Sequence, residues 1–529
     1  MSENTLFNIL ATAPAEAVCM HIQGRNVSYG TVRDQALRIA QGLRDAGIRR
    51  GDTAALWLPN LPEWLSIAWA CARIGVNVLP LNMRYGTREV GDFLSRSRAS
   101  ALFYMPGYRG LRYDETLCNV EPERLSTLRI TVAAGPRDAE KSLAGVQALG
   151  LDELLRNHPC KTEDGQAEDR AIVFASSGTT SLPKLICHLQ RSVARHARDV
   201  DAAFHIGQQS RVLLAVPFGG AFGYTIAVGA LAAHATLVVQ EQFDPAEAAD
   251  LLASQQATHM FGTDDMIDKL LTAAGPDARF PALQVYGHAN FTPALGATLP
   301  AKAAAHGVPL RGCYGLSEAM ALFATQPEDG TPERRAMSGG IPVCPQGKVR
   351  VRSLETGQLL APGESGEIEI FSPNLTVGYL GDDAATKKAF CEDDFLRTGD
   401  LGYMMDDGGV ILLSRIGDVL RIGGYLVNPL EIEETVLALC GAAACQVIAL
   451  DANKSVRPVA FVIGKPGYVH DERAIIEGCR NRLATYKVPI RVFEVPDFPV
   501  TDSPNGKKVR KNVLKDMAIE LIAAEKESQ

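Results

Sequence analysis

The sequence has no cysteine pair at metal or redox spacing. Its 11 cysteines are scattered, the closest being Cys440 and Cys445, so neither a C-x-x-C zinc site nor a disulfide framework is suggested and the compartment reads as reducing. Long basic runs are missing outside the C-terminal tail, and Lys+Arg 53 against Asp+Glu 61 leaves a formal charge of −8. Sequence-independent binding to nucleic acid is therefore disfavoured, and an anionic ligand has to be met locally. No basic-then-apolar leader with a small-residue cleavage site follows Met1, so a cytoplasmic protein is expected. Neither a G-x-S-x-G elbow nor H-E-x-x-H occurs, which disfavours a hydrolase. Lys, Arg, Asp and Glu are all missing between Arg211 and Glu241, a length that would permit a spanning helix. Pro217, Gly219, Gly220 and Gly223 interrupt that run, however, and VLLAVP and ATLVVQ read as strands flanking a small-residue helix, so no integral membrane segment is expected.

What is present points to several domains. At 529 residues with 46% hydrophobic residues, the chain can bury a large core and exceeds one ordinary domain. Apolar runs (TAALWLP, VLPLN, SALFYM, AIVFAS, RVLLAVP, ATLVVQ, HMFGT) alternate with helical stretches. That alternation predicts an α/β fold of mostly parallel sheets covered on both faces. Residues 31–46 carry helical periodicity, with Val32, Ala36, Ile39 and Leu43 on one side. From about Val349 the texture shifts to short strands and turns, predicting a small β-barrel-like subdomain. After Arg415 come a Gly-rich turn, a helix opening at Pro429, strands CQVIALD and RPVAFVIG, a helix from Glu472 and a basic tail, a small α+β domain. The expected domains are residues 1–414 and 415–529.

The segment AIVFASSGTTSLPK supplies the first chemistry. A β-rich run ends in Ser176, Ser177, Gly178, Thr179 and Thr180, followed by Pro183 and Lys184. Hydroxyls and backbone N–H groups around a glycine, with a lysine beside them, suit a polyphosphate. A Walker loop is excluded, because a second glycine before Lys184 and a Ser or Thr after it are missing. This segment resembles the T-S-G-T-T-G-x-P-K-G signature of the adenylate-forming superfamily of acyl-CoA synthetases, adenylation domains and luciferases, with Ser181 and Leu185 in place of two glycines. The blocks GCYGLSEA, FLRTGDLGYMMDDGGVILLSRIGDVLRIGGYLVNPLEIEETV and FPVTDSPNGKKVRKNVL follow in the family's order, and the resemblance covers nearly the whole chain.

The resemblance implies roles residue by residue. Residues Ser176 to Thr180 and Lys184 meet the phosphates of ATP; Tyr314, beside Gly315, stacks on adenine; Ser317 contacts phosphate; and Glu318 with Thr179 holds Mg²⁺. In YGHANF, His288 and Ala289 lie at the place of the loop beside adenine, where His288 and Asn290 are substitutions. Asp400 accepts from both ribose hydroxyls, a task for an ionised acceptor, and Arg415 supports the sugar or the phosphates. The hinge position carries Gly417 where the family has Asp or Lys, which leaves rotation of the C-terminal domain free and less restrained. Of Lys507, which follows Gly506, and Lys508, which is followed in register by Val509, Lys511 and Leu514, the second is the expected catalytic lysine. Gly423 and Gly424 let pantetheine pass the backbone, and Arg421 pairs with an anionic group of CoA. In AVPFGGAFGYT, Gly219 and Gly220 replace bulk that often lines the acyl tunnel, and Phe222 completes that pocket.

The activity so implied is ATP-dependent conversion of a carboxylic acid to an acyl-adenylate with pyrophosphate release, then transfer to CoA. ATP, Mg²⁺ and CoA are the expected cofactors, fatty acid metabolism the expected setting, and a homodimer is allowed for. The acid has an apolar body, acyl or aryl undecided. Two other readings stand beside this one: a free-standing adenylation enzyme that loads a carrier protein, although no G-x-[DH]-S-[LI] carrier site is fused here, and a catalytically weak acyl- or AMP-binding protein.

Overall fold

Apolar residues at 32, 36, 39 and 43 become the buried stripe of a helix spanning Tyr29–Asp45, opened by Ser28, whose hydroxyl accepts the Thr31 amide at 3.1 Å. The Val, Ile and Leu side chains of this stripe each contribute about 1.5–3 kcal/mol on removal from water, before chain entropy is counted. In this computed structural model the described residues are 5–136, 143, 145–175, 183–291, 295–296, 298–416, 420–422, 425–427, 429–452, 455–503 and 506–527.

Two compact units divide the chain. The first comprises residues 1–289, 302–348 and 370–396, and the second residues 290–301, 349–369 and 397–529. In the first unit the strands Leu310–Tyr314, Val285–Ala289, His259–Thr263, Arg211–Leu214, Thr236–Val239 and Val18–Ile22 run parallel in that spatial order. Antiparallel strands continue it at Arg25–Ser28 on one side and at Ala324–Thr325 on the other. An eight-stranded sheet sets Gln147–Gly150, Ile130–Ala133, Ala101–Tyr104, Thr53–Trp57, Asn77–Pro80 and Arg170–Ala175 parallel, and Leu185–Leu189 and Gly378–Tyr379 antiparallel at its far edge. Trp57, Trp64 and Trp69 are fully buried between these sheets and their helices.

The uncharged run folds as read: strand Arg211–Leu214, helix Ala221–Ala232, strand Thr236–Val239. That helix is apolar on every side because it is buried on nearly every side. No helix among the described residues is long and apolar enough to cross a membrane.

In the second unit the β-rich part places Lys348–Arg352, Gly366–Phe371, Leu396–Met404 and Val410–Arg415 side by side. The C-terminal part pairs Ala444–Ala452 with Ser455–Ile463 antiparallel, adds Arg491–Glu494 in parallel, and covers one face with the helices Pro429–Cys440 and Glu472–Arg480. The stretch read as a basic tail is a helix, Lys511–Glu527. Leu514 and Ala518, one turn apart and fully buried against Ile448, Val459 and Phe461, fix it in place, and their weak apolar signal was hidden among the lysines.

Candidate active site

The segment Tyr314–Leu322 is a tight loop whose shape follows from its residues. A Cβ at Gly315 would meet the Ala321 carbonyl carbon at 2.4 Å, so only glycine lets the chain fold back there. Met320 and Ala321 both take left-handed backbone, at φ +56° and +58°, a conformation that costs an L-residue about 1–2 kcal/mol. The Ala321 amide bonds to the Leu316 carbonyl and the Phe323 amide to the Tyr314 carbonyl, each at 2.8 Å, which closes the loop. Strained backbone of this kind clusters at functional sites. Glu318 lies at the turn's apex within the short 3₁₀ segment Ser317–Ala319, half-buried.

Glu318 is held from two directions. Its carbonyl accepts the Thr376 amide at 2.8 Å, and its Oε1 accepts the Tyr379 hydroxyl at 2.9 Å. The Lys184 ammonium sits 4.4 Å from the centroid of the same Tyr379 ring. Burial, then the Glu318 charge, pushes the Tyr379 phenol pKa upward and keeps it a donor. Ser317 is tied at its carbonyl to His188 Nε2 at 2.8 Å, which makes that nitrogen the donor. Burial lowers the His188 pKa to about 4, so the ring is neutral. Tyr314 is buried at the end of its strand. His288, on the strand Val285–Ala289, is also buried, its ring stacked 6.3 Å from that of Tyr286; Ala289 closes the strand.

The Gly219 to Phe222 segment is anchored by Asn60, which accepts the Phe218 amide at 2.7 Å and donates to the carbonyls of Val216 and Gln240 at 3.0 and 3.2 Å. A Cβ on Gly219 would come within 3.3 Å of Pro80, Gly220 caps the helix that follows, and the Phe222 ring lies edge-on to Phe261 at 6.5 Å.

The second unit carries Asp400 and Arg415, paired across the antiparallel strands Leu396–Met404 and Val410–Arg415. Arg415 Nε lies 2.9 Å from Asp400 Oδ1, and Arg415 Nη1 donates to the Thr398 carbonyl at 3.1 Å. Gly399 turns through φ +68°. Around it the Asp400 amide donates to Thr398 Oγ1 at 3.0 Å, and the Gly399 amide to Glu367 Oε1 at 3.3 Å. An Asp side chain 4% exposed and aligned by a guanidinium is a fixed anionic acceptor, suited to a diol. On the neighbouring strand Gly366–Phe371, Glu369, fully buried, accepts from Arg350 at 2.5 Å and Arg352 at 2.7 Å.

Structure and sequence reading meet unevenly. The expected Lys184, Tyr314, Gly315, Ser317, Glu318, His288 and Ala289 are all in the first unit, and Glu318 and Lys184 share one tyrosine there. Ser176, Ser177, Gly178, Thr179, Thr180, Gly417, Gly423 and Gly424 lie outside the described residues, as do the side chains of Arg421, Lys507 and Lys508. The backbone places Lys507 and Lys508 on a strand, Gly506–Val509, opposite Asp502 and Thr501. Tyr379, Thr376, His188, Asn60 and Glu367 were missed. Each acts through a tertiary hydrogen bond that no local pattern announces.

Comparison with known proteins gives the family. The sequence model of the family described as AMP-binding enzyme matches residues 7–380, and that of the AMP-binding enzyme C-terminal domain matches residues 431–507. The 2-succinylbenzoate–CoA ligase of Geobacillus kaustophilus is 29% identical over 485 residues, 90% of each chain. A feruloyl-CoA synthase of Amycolatopsis is 28% identical over 488 residues, 91% of this chain and 92% of that one. Among solved structures, ATP-bound MatB from Rhodopseudomonas palustris superposes with a TM-score of 0.84 at 25% identity, over 98% of this chain and 99% of that one. The chain belongs to the AMP-binding enzyme family, the adenylate-forming superfamily.

Proposed function

We propose that the chain is an AMP-forming acid–thiol ligase that activates a carboxylic acid with ATP and passes the acyl group to CoA. The observation that carries this reading is the buried Asp400 carboxylate, locked by Arg415 within an R-T-G-D turn: a charged acceptor built for a ribose diol. Its relatives named as CoA ligases or synthases span nine-tenths of the chain, which supports CoA as the acceptor.

A carboxylate is a poor electrophile, and the first half-reaction supplies a leaving group. One carboxylate oxygen attacks the α-phosphorus of ATP, the bond to the bridging oxygen breaks, and pyrophosphate departs. Positioning and charge stabilisation are what this chemistry asks of the protein. Asp400 and Arg415 hold the sugar, Tyr314 flanks adenine, Lys184 with residues 176–180 meets the phosphates, and Lys508 neutralises charge between acid and α-phosphate. Glu318 fits a hard cation: it is a carboxylate oxygen ligand whose Oε1 is oriented by the Tyr379 hydroxyl. With Thr179 it is the assigned holder of Mg²⁺, which when bound offsets polyphosphate charge.

In the second half-reaction the CoA thiol loses its proton, its sulfur attacks the acyl carbonyl, and AMP leaves with the electron pair. Residues 415–529 are the mobile part, turning at Gly417 so that Lys508 withdraws and the Gly423–Gly424 loop receives pantetheine, with Arg421 at an anionic group. Gly219, Gly220 and Phe222 line the acyl pocket, and the acid has an apolar body. Acid-dependent exchange of labelled pyrophosphate into ATP tests the first half-reaction: exchange for at least one apolar acid is expected, and ATP binding without exchange across aliphatic and aromatic acids would refute it.

A further inference from the structure

We infer that Tyr379 is a positioning residue that sets the metal-holding carboxylate Glu318 and the phosphate-facing Lys184 as one unit. The inference rests on the reading of Glu318 and Lys184 given above and names a residue which that reading does not need. Tyr379 ends the two-residue strand Gly378–Tyr379, which pairs antiparallel with Leu185–Leu189 and places Tyr379 opposite Ile186, two residues beyond Lys184. Its hydroxyl donates to Glu318 Oε1 at 2.9 Å while the face of its ring lies under the Lys184 ammonium. One side chain therefore touches both charged groups, through different atoms.

The backbone around Tyr379 is built to hold it still. Gly378 takes φ +125°, and a Cβ there would strike Thr386 Cγ2 at 2.4 Å. The Tyr379 amide donates to Thr386 Oγ1 at 2.9 Å, and the Leu380 amide to the Leu185 carbonyl at 2.7 Å. Thr376, three residues earlier, donates its amide to the Glu318 carbonyl and its hydroxyl to the Cys187 carbonyl at 2.7 Å. Residues 376–380 thus strap the strand that follows Lys184 to both ends of Glu318. Tyr379 is only 7% exposed. A carboxylate left to choose among rotamers holds a cation less well, and removing the outer partner of a metal ligand typically lowers metal affinity about 10- to 100-fold.

Two substitutions in the full chain separate the two contacts. Tyr379→Phe removes the hydroxyl and keeps the ring; Tyr379→Leu removes both. Calorimetric binding of Mg·ATP and of ATP in chelator, together with the Mg²⁺ dependence of pyrophosphate exchange, gives the readout. The Phe variant is expected to need about tenfold or more Mg²⁺ for half-saturation, with metal-free ATP binding within about twofold of the parent. In the Leu variant metal-free ATP binding is expected to weaken as well, because Lys184 loses its ring. On a Glu318→Gln background Tyr379→Phe is expected to add nothing further. A Phe variant with unchanged Mg²⁺ dependence, an equal loss of metal-free binding in that variant, or an additive effect on the Gln background would each overturn the inference. A parent chain that binds Mg·ATP yet never exchanges pyrophosphate would overturn the proposed activity while the binding comparison still decides the role of Tyr379; a parent that binds Mg·ATP no more tightly than ATP would overturn the role of Tyr379.

Discussion

Asp400→Asn changes one oxygen into an N–H₂ group at almost constant volume, and its effect can be worked from the turn that holds it. The side chain is 4% exposed and its Oδ1 lies 2.9 Å from Arg415 Nε. As a carboxylate it offers the ribose diol two charge-assisted bonds, each worth about 1.5–3 kcal/mol, whereas the amide offers two neutral bonds, one accepted and one donated, of about 0.5–1.5 kcal/mol each. The difference is about 2–3 kcal/mol, or roughly 30- to 150-fold in affinity at 1.4 kcal/mol per decade. Stability responds far less, because Arg415 is 50% exposed and can be re-solvated, so the lost ion pair costs about 0–1 kcal/mol. Pyrophosphate exchange at varied ATP is the assay: KM for ATP should rise roughly 30- to 150-fold while KM for the acid and the melting temperature stay close to the parent's. A rise of less than about threefold would remove Asp400 from the ribose, and unfolding of the variant would show that the estimate of its structural share was wrong.

Three more expectations stand beside it. Lys508→Ala should depress adenylate formation by about 10²-fold or more while sparing thioester formation from a preformed adenylate, with Lys507→Ala near the parent in both; equal losses in the two half-reactions, or a larger effect at Lys507, would contradict the assignment. Glu369→Ala strands two partly buried guanidinium groups, Arg350 at 17% and Arg352 at 25% exposure, and should lower unfolding free energy by about 3–5 kcal/mol, read as a shift in denaturant midpoint without a change in KM for the acid. His188 and His196 are held neutral by burial, with pKa values lowered to about 4 and about 3. Below the unfolded value near 6.5 the unfolded chain binds more protons, so stability is complete above that pH and falls as pH drops towards 4, by about 1.4 kcal/mol per unit and per histidine. Lowering the pH from 7 to 5 should therefore cost His188→Gln less stability than it costs the parent, read from denaturant midpoints; the same change in the two chains would contradict it.

How much was legible depends on whether a feature is local. The stripe Val32, Ala36, Ile39 and Leu43 announces its helix because burial repeats at the helical period, and the glycine-broken run from Arg211 announces a buried strand, helix, strand unit because glycine and proline interrupt a span. Glu318, Asp400 and Arg415 were picked out through motif order. Tyr379 was not: it lies 61 residues after the carboxylate it holds, on a strand of only two residues with no periodicity to betray it. Asn60 anchors the Phe218 amide from 158 residues away and is equally silent in the sequence. The helix Lys511–Glu527 was read as a basic tail because Leu514 and Ala518, its buried residues among those described, are outweighed by charge around them.

The most direct test of the central claim is to incubate the chain with ATP and Mg²⁺ and a panel of short, medium, long, branched and aromatic carboxylic acids, with and without CoA, measuring pyrophosphate and thioester together. Continuous pyrophosphate release that requires CoA and yields one acyl-CoA per pyrophosphate is the predicted result. Release that stops after one equivalent with CoA present would contradict CoA as the acceptor, and ATP binding with no release for any acid would contradict the ligase itself.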